Sequence, residues 1–342
     1  MDFTPTEEQE AARELAARIF TDLATHERLR AAGTGTDAEL WKALCAAGLP
    51  GAVEETGLLG LVLLLEEQGR VTAQVPFAAS CVYGVLGVAR HGTDEQRARL
   101  LPGLRDGTTV VTGAFPAPRA VSSREGRLSG TVDWVPWLRD ATHVLVPDDS
   151  HTLWLVRTED AARVDPVELT APWSAGRLVL DGTTGERLGT ADAYADVLTA
   201  ARIAFAGLQA GVCAGSLARA VAYTSVREQF GRPLSTHQAV QLRAADAHMD
   251  TEAIRVTAYE AAWRFDEALD ATGAAVTAAW WASEAGKRVV HAGQHLHGGM
   301  GADLDHPVHR HFLWGRQLDA YLGCGTELLA ELGDLLAEGA LS

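Results

Sequence analysis

The feature that most constrains the fold is a proline-free stretch of more than thirty residues, 197–229. Small or apolar side chains recur along it at alternating intervals of four and three, and side chains so spaced share one face of an α-helix. The other faces are apolar too, which indicates a helix inside a helical array rather than on its surface. The small side chains would let neighbouring helices come close. The seam consists of Val197, Ala201, Ala204, Leu208, Gly211, Gly215, Ala218, Ala222 and Ser225.

The composition is that of a globular protein with an acidic surface. Of the 342 residues, 47% are apolar and 22% are charged, and the formal net charge is -16. An acidic surface repels nucleic acid and anionic lipid, which argues against either as a partner. The longest apolar run, 58–65, is too short to span a bilayer, and the start lacks the features of a signal peptide. The four dispersed cysteines fit buried thiols in a reducing compartment, so we expect a cytoplasmic protein.

Three regions of the chain differ in the period of their apolar residues. Residues 1–108 show helical spacing, and residues 191–342 show it again. Residues 109–190 consist of short β-prone runs separated by Gly, Pro, Asp and Ser. We therefore predict an N-terminal helical domain, a small central β domain and a C-terminal helical domain with these bounds.

The predicted elements follow from the same periods and from residues that cap or end helices. Thr4 or Thr6 caps the first helix, and Gly48 and Pro50 end the second. The predicted helices cover about 7–20, 40–47, 58–68, 77–89, 94–104, 197–229, 236–272, 273–294 and 309–336. The predicted strands cover 109–113, 127–134, 143–147, 152–156 and 177–180.

Two C-terminal segments combine basic, aromatic and glycine residues. The first is Arg227-Glu228-Gln229-Phe230-Gly231-Arg232-Pro233-Leu234, followed by Gln238. The second is His295-Leu296-His297-Gly298-Gly299-Met300-Gly301, followed by His306-Pro307-Val308-His309-Arg310. Both closely resemble signatures of the acyl-CoA dehydrogenases, and weaker matches at 3–9, 91–96 and 101–102 extend the resemblance over nearly the whole chain.

The resemblance implies a fold, a cofactor and an assembly. Acyl-CoA dehydrogenases have N-terminal helices, a central β domain and a C-terminal four-helix bundle, so the chain is predicted to be mainly α with a central β domain. They are tetramers that use FAD. A carboxylate removes the α-proton of an acyl-CoA while the β-hydride passes to the flavin. One subunit's β domain holds the isoalloxazine ring, and the neighbouring subunit's C-terminal domain holds the pyrophosphate and adenosine.

The resemblance also implies cofactor-binding residues. Arg227 would pair with the FAD pyrophosphate, because a guanidinium fork matches phosphate oxygens. Gln229 would hydrogen-bond nearby, and Phe230 would pack on the cofactor. His237 and Gln238 would meet the adenosine half, together with a segment whose glycines allow close approach of the backbone. That segment contributes His295, Leu296, Gly298 and Gly299.

The catalytic base of the family is missing from this chain. Most members carry a glutamate near a Gly-Thr pair in the last helical segment, and an ungapped comparison with 321–326 places Gly323 there. A branch of the family carries its glutamate on the long helix, twenty-six residues before the arginine of the first signature, where this chain has Ala201. Glu327 lies one helical turn, about 5.4 Å, beyond Gly323, which is too far for a base. We therefore predict no catalytic residue in this chain.

Two β-domain motifs that line the flavin in the family are absent as well. Residues 112–119 replace the Thr-Glu-Pro and Gly-Ser-Asp motif. Residues 134–137 replace the Trp-Ile-Thr segment, and Pro136 has no backbone N–H to donate. In the N-terminal region, the Pro-Glu and Gly-Gly stretch is shortened to 52–57. The losses fall on what a subunit supplies to its own site, whereas the groups that it gives to a neighbour are kept.

This pattern resembles the smaller subunits of the heteromeric α2β2 acyl-CoA dehydrogenases of actinobacterial steroid side-chain degradation. In those assemblies a longer homologue carries the glutamate, and each heterodimer builds one FAD site. We expect this chain to be the subunit without the base, inactive alone, with the steroid side-chain acyl-CoA held mainly by the partner. Two alternatives stay open, namely a homo-oligomer with altered chemistry and a structural family member without flavin. Retention of Arg227, Phe230 and the Gly298-Gly299 turn speaks against the second.

Half of the twelve histidines fall within twenty-one residues, with Asp303 and Asp305 close by. Zinc sites use histidines at such spacing, usually with carboxylate or thiolate partners. The resemblance gives the positions of His297 and His309 no metal role, so packing or cofactor contact is our interpretation and no metal is predicted. The clustered histidines are His291, His295, His297, His306, His309 and His311.

Overall fold

The computed structural model describes residues 2–116 and 120–339. Helices come first along the chain, then strands, then helices again, which confirms the predicted mainly α class with a central β region. The chain falls into two compact units. The sheet-bearing unit comprises Glu7–Leu61 and Gln74–Ala201, and the C-terminal unit comprises the other described residues, chiefly Val62–Ala73 and those from Arg202 onward. The bounds given above for the three domains stay a prediction.

The N-terminal helices begin at residues that satisfy their first N–H groups. Asp37 accepts a hydrogen bond from the N–H of Leu40 at 3.1 Å, and Thr93 forms a capping box with Gln96. A π-helical segment, Ser80–Leu86, joins the fifth and sixth helices. The helices are α1 Glu7–Leu23, α2 His26–Ala31, α3 Ala38–Ala46, α4 Leu49–Val71, α5 Phe77–Ala79, α6 Gly87–His91 and α7 Asp94–Asp106.

Two details of the N-terminal prediction are wrong. The six residues of α2 were not predicted, because so short a helix shows less than two full periods. The third predicted helix begins at Leu49 rather than near residue 58, since Pro50 lies in the first turn of α4, where a missing N–H is tolerated. The stretch 52–57 is therefore helical, and Gly57, at φ 72°, marks a kink within α4.

The strands form two four-stranded sheets around a shared apolar core. One sheet has the order β1-β4-β5-β8, with β1 parallel to β4, and the other has the antiparallel order β2-β3-β7-β6. The five predicted strands are present, whereas β2, β6 and β8 were missed because their short segments are largely polar. The strands are β1 Val111–Gly113, β2 Val121–Arg124, β3 Arg127–Val135, β4 His143–Pro147, β5 Leu153–Arg157, β6 Arg163–Pro166, β7 Gly176–Thr184 and β8 Glu186–Leu188. Core residues from both sheets include Ala114, Leu128, Val135, Val144 and Leu178.

The C-terminal helices differ from the prediction at their ends. The long helix stops at Val226, and the next residues form a two-stranded hairpin instead of continuing the helix. The last predicted helix is two helices, separated at 319–324, where Gly323 adopts a φ of 114°. The elements are α8 Ala193–Val226, β9 Glu228–Gln229, β10 Arg232–Pro233, α9 Gln238–Asp266, α10 Thr272–Leu296, α11 Val308–Leu318 and α12 Gly325–Ala337.

The glycines of the α8 seam bring two helices into direct backbone contact, as the sequence predicts. Within the C-terminal unit, a Cβ on Gly211 would overlap the carbonyl oxygen of Glu66 in α4, and one on Gly215 would overlap that of Arg70. By length and composition α8 could span a membrane, but 78% of its most apolar stretch is buried inside the protein. The end of the helix is open to solvent, since Val226 is 78% exposed.

We predict that Gly211→Ala destabilises the protein, because the new methyl group has no space against the α4 backbone. Overpacking of this kind costs about 1–3 kcal/mol. The matched control is Gly333→Ala in α12, where a Cβ meets nothing within 4 Å, and which should stabilise by up to about 1 kcal/mol. Chemical denaturation of both variants measures the difference. Equal free energies of unfolding for the two would contradict the close contact.

Candidate functional site

The first predicted signature forms an exposed hairpin at the end of α8. The N–H of Leu234 donates to the carbonyl of Arg227 at 2.8 Å, and Arg232 pairs with Gln229 across the two short strands. Phe230 and Gly231 occupy the turn with φ values of 55° and 77°. Positive φ at both central residues is the geometry of a type I′ turn, which suits glycine but is unusual for phenylalanine. The hairpin therefore holds an aromatic ring in a costly conformation at its tip.

The side chains of this hairpin point away from the protein. Phe230 is 91% exposed, and Arg227 and Gln229 are exposed as well. Among residues 2–116 and 120–339, the Arg227 side chain makes no hydrogen bond or ion pair, whereas the Gln229 amide donates to the carbonyl of Glu228 at 2.8 Å. An exposed aromatic ring beside an unpaired guanidinium is typical of a surface that another molecule covers.

His237 and Gln238 lie at the base of the same hairpin, where α9 begins. The Nδ1 of His237 is 3.3 Å from a guanidinium nitrogen of Arg232, and its ring is 6.1 Å from that of Phe230, edge to face. The Nε2 of His237 is buried and has no hydrogen-bond partner within the described part of the chain. A buried polar atom without a partner is costly, so this nitrogen fits a group supplied from outside. Gln238 is exposed.

The second signature forms the end of α10 and the turn after it. His295, Gly298 and Gly299 are exposed, whereas Leu296 is 8% exposed and faces the bundle. Gly298 has a φ of 62°, and a Cβ on either glycine would meet nothing within 4 Å. The backbone of the turn is thus open to a ligand, and Leu296 is the one residue of the predicted set in this segment that points inward.

Tyr223 brings the two signatures together, and sequence reasoning missed it. Its ring stacks on His297 with centroids 4.8 Å apart, and its hydroxyl lies 3.8 Å from the sulfur of Met300. Its carbonyl also accepts the N–H of Arg227 at 2.9 Å. The only signal in the sequence is its place one helical turn before Arg227, on the same face of α8.

The positions expected for the catalytic base hold no carboxylate. Ala201 is fully buried in α8, and Gly323 adopts a φ that L side chains rarely take, with Leu328 3.2 Å from where a Cβ would lie. Cys324, which directly precedes the Gly325-Thr326 pair, is the N-cap of α12. The Glu327 carboxylate accepts the N–H of Cys324 at 2.9 Å and thus serves as the cap of that helix.

A half-buried ion pair lies near Gly323 in the C-terminal unit. Arg202 donates to both carboxylate oxygens of Glu331 at 2.7 Å each, and its side chain is 10% exposed. With Phe205, Tyr321 and Gly323 it lines a cavity of about 20 Å³, which holds about one water molecule. The guanidinium has no basic site, and it holds the Glu331 carboxylate through two hydrogen bonds.

In the sheet-bearing unit, packed aromatic side chains fill the segment that replaces the flavin-lining motif. Phe115, 5% exposed, stacks on Tyr83 at 5.1 Å and on Tyr194 at 5.6 Å, and His151 stacks on the far side of Tyr194 at 4.3 Å. Tyr83 is fully buried on the π-helical segment, and its ring lies directly against Gly113. The remaining residues of this replaced motif, 117–119, lie outside the described residues.

Buried side chains also fill the segment that replaces Trp-Ile-Thr. Trp137 is 3% exposed and stacks on Trp173 at 5.9 Å, while Val135 is buried between the sheets. The carbonyl of Pro136 accepts the Thr112 hydroxyl at 2.6 Å. These described β-domain segments therefore do not fit an isoalloxazine ring, because their own side chains fill them. The exposed hairpin and the open glycine turn do fit the pyrophosphate and adenosine half of FAD.

Several of the clustered histidines make hydrogen bonds to backbone carbonyl groups. The Nδ1 of His297 donates to the carbonyl of Gly293 at 2.7 Å, and the Nδ1 of His309 donates to that of His306 at 2.6 Å. His311 is buried, with Nε2 3.0 Å from the carbonyl of Arg70. Among the described residues, no group of three or more His, Cys, Asp or Glu side chains could hold a metal ion.

Comparisons with known proteins match the chain along almost its whole length. The family model for the acyl-CoA dehydrogenase N-terminal domain matches residues 6–108, and that for the C-terminal domain matches residues 189–331. Acyl-CoA dehydrogenase FadE27 of Mycobacterium tuberculosis is 33% identical over 99% of both chains. FadE28 of the same organism is 30% identical over 97% of this chain and 98% of its own length. The resemblance read from the two signatures is thereby confirmed.

Two solved structures share both the fold and a substantial part of the sequence. One is the Tcur3481-Tcur3483 steroid ACAD G363A variant, with a TM-score of 0.93, 42% identity and coverage of 98% of this chain and 99% of the other. The second is the ChsE4-ChsE5 complex from Mycobacterium tuberculosis, with a TM-score of 0.92, 34% identity and coverage of 99% of each chain. Butyryl-CoA dehydrogenase of Megasphaera elsdenii, at 23% identity and a TM-score of 0.87, shares the fold.

We predict that stability falls in mild acid because of His311. Burial lowers the pKa of this imidazole from 6.5 to about 4, and the positive charge of Arg219 and Arg310 adds to the effect. The folded state thus resists a proton that the unfolded chain accepts, so stability is full above pH 6.5 and is lost by about 3 kcal/mol as the pH falls toward 4. Denaturation of the wild type and of His311→Gln between pH 7.5 and 4.5 measures it.

The glutamine variant should show a shallower loss, because its amide keeps a donor for the carbonyl of Arg70 and takes no proton. The control is His248→Gln, because the side chain of His248 is 67% exposed. The stability of this variant should depend on pH as that of the wild type does. A wild-type loss that His311→Gln leaves unchanged would assign the acid sensitivity to other groups.

Proposed function

Since the chain belongs to the acyl-CoA dehydrogenase family, we propose that it is the subunit without the catalytic base in a heteromeric FAD-dependent member. The observation that carries the proposal is the contrast between two sets of residues. Phe230 at the hairpin tip is 91% exposed, whereas Phe115 in the replaced flavin motif is 5% exposed and stacked between two tyrosines. The chain thus presents groups for a neighbour's cofactor and fills its own cradle.

The physical argument rests on what exposure costs. A phenylalanine at positive φ in full contact with water loses conformational stability and gains no packing. The arrangement is stabilising only when another molecule covers the ring. The exposed guanidinium of Arg227, with no partner among the described residues, belongs to the same hairpin. The occupant that satisfies both is a planar cofactor with phosphate charge at the surface of a companion subunit.

In the assembly, the residues of this chain bind and orient the nucleotide half of FAD. Arg227 pairs with pyrophosphate oxygens, Gln229 hydrogen-bonds beside it, and Phe230 packs on the cofactor. The unsatisfied Nε2 of His237 and the open turn at Gly298 and Gly299 meet the adenosine half. His295 and Gln238 are exposed beside these groups, while Leu296 supports the turn from within. FAD, when bound, accepts the hydride of the reaction.

The companion subunit supplies the catalytic glutamate and most of the acyl-CoA contacts. This chain has Ala201 and Gly323 at the two base positions, and its Arg202 is engaged by Glu331. One similar structure is named as the Tcur3481-Tcur3483 steroid ACAD, and the other as the ChsE4-ChsE5 complex. These names support a heterotetramer acting on a steroid side-chain acyl-CoA thioester. A cytoplasmic location follows from the thiols and is part of the same proposal.

We predict two FAD per heterotetramer when the chain is assembled with its longer homologue, and little or no FAD on the chain alone. Only one of the two pseudo-equivalent sites has an open cradle, because Phe115 and Trp137 fill the other. The chain alone should also be inactive on acyl-CoA, since general base catalysis typically contributes about 10²–10⁴-fold. Flavin absorbance against protein mass measures the ratio.

Two outcomes would contradict the proposal. Four FAD per tetramer would show that the sheet-bearing unit binds flavin after all. A yellow single-chain preparation that oxidises an acyl-CoA at ordinary rates would instead support a homo-oligomer with an unrecognised base.

We predict that Arg227→Ala weakens FAD binding to the complex about ten- to a hundredfold, because hydrogen bonds to charged groups are worth about 1.5–3 kcal/mol. The fold should persist, since α8 is held by its buried middle. Flavin released on dilution reports the change, and activity should return with excess FAD. Arg264→Ala is the control, because Arg264 forms an ion pair with Glu260 at the other end of α9. Unchanged FAD retention in Arg227→Ala would make Arg227 a surface cation.

A further inference from the structure

Three rings lie in contact beneath the open glycine turn. His297 stacks on Tyr223 with centroids 4.8 Å apart and an interplanar angle of 22°, and it lies 4.9 Å from His306 at 59°. His297 is 3% exposed although it directly precedes the exposed Gly298. The two flanking rings and the carbonyl of Gly293, 2.7 Å from Nδ1, fix its position. We call Tyr223, His297 and His306 the ring cluster.

The two glycines of the turn that follows His297 have no packing where a side chain would lie. Gly298 adopts a φ of 62°, and neither it nor Gly299 has any atom within 4 Å of where a Cβ would lie. The ring cluster contacts the turn on its glycine side, because His297 is bonded to Gly298 and the Tyr223 hydroxyl lies 3.8 Å from the sulfur of Met300. At the other end of the turn, the Gln294 amide donates to the carbonyl of Gly301 at 3.3 Å. The stacking of the rings therefore bears directly on the position of the Gly298-Gly299 backbone.

The ring cluster also reaches the hairpin. Tyr223 belongs to the last turn of α8, and its carbonyl accepts the N–H of Arg227 at 2.9 Å. One residue thus contacts the start of the arginine hairpin through its backbone and the glycine turn through its ring. The two segments are far apart in sequence.

We propose that His297 and Tyr223 are positioning residues that set the distance between the two halves of the nucleotide surface, Arg227 on one side and the Gly298-Gly299 turn on the other. Neither residue needs to touch the cofactor. The stack holds the turn at a position from which its backbone and the Arg227 guanidinium can contact the same ligand. The ligand class is an adenine nucleotide with a diphosphate, and the inference rests on the proposed function.

The alternative is that His297 merely fills space in the bundle. Two substitutions separate these roles, because both keep apolar volume and only one keeps a flat ring. His297→Phe retains the stack on Tyr223, whereas His297→Leu removes it. Aromatic pairs are worth about 0.5–1.5 kcal/mol beyond the area they bury, which corresponds to about a three- to tenfold change in affinity.

The experiment measures dissociation constants of FAD, ADP and FMN for the assembled complex of this chain with its longer homologue. We expect His297→Leu to weaken FAD and ADP by the same factor, about three- to tenfold, and to leave FMN unchanged, because FMN lacks the adenosine half. His297→Phe should bind all three as the wild type does. His248→Leu, at an exposed position of α9, is the matched control and should change nothing.

Each other result overturns the proposal. Equal binding by the leucine and phenylalanine variants would mean that volume alone matters, and an equal loss of FMN would mean a general disturbance of the assembly. The Arg227→Ala variant distinguishes this failure from failure of the proposed function. If Arg227→Ala weakens FAD while His297→Leu does not, the surface binds the cofactor but the ring cluster does not position it.

Discussion

The backbone contact between α8 and α4 determines where everything at the end of α8 lies. Gly211 and Gly215 of α8 meet the carbonyl groups of Glu66 and Arg70, so neither helix can rotate or slide without a collision. On the side facing α10 and α11, the buried amide of Gln209 donates to the carbonyl groups of Ala282 and Gly315 at 3.3 and 3.2 Å. The middle of α8 is fixed from several directions, and its last turns can therefore carry an exposed hairpin at a defined place.

Buried charges in the C-terminal unit are paired across helices. Glu66, 4% exposed, accepts hydrogen bonds from Arg255 of α9, and burial raises the pKa of its carboxyl although the arginine opposes that shift. Arg202 of α8 is engaged in the same manner by Glu331 of α12. An unpaired buried charge is strongly destabilising, so each pair constrains which helices can be neighbours. Glu331 thus gives Arg202, which lines the same small cavity as Gly323, its counter-charge.

Exposure and burial divide the functional residues into two groups. The hairpin and the glycine turn keep side chains and backbone open, at a cost that a bound cofactor would offset. The described segments 112–116 and 134–137 turn inward, where Phe115 and Trp137 gain aromatic stacking and remove the concave surface that a flavin ring requires. Such a chain can offer contacts to a cofactor at the hairpin and the glycine turn. In the segments 112–116 and 134–137 it has no open surface for a flavin ring.

The sequence alone determined the order of helices and strands and the family, because the period of apolar residues and the two signatures are local properties of the chain. It also determined that the base positions hold no carboxylate. It did not reveal that α8 ends in a type I′ hairpin, that α11 and α12 are separate, or that α4 begins at Leu49, since turn conformation and packing decide those points. Nor could it show that Tyr223 meets His297 or that Phe115 stacks between Tyr83 and Tyr194. Such contacts join residues that lie far apart along the chain, and only the packing of whole elements sets the orientation of their rings.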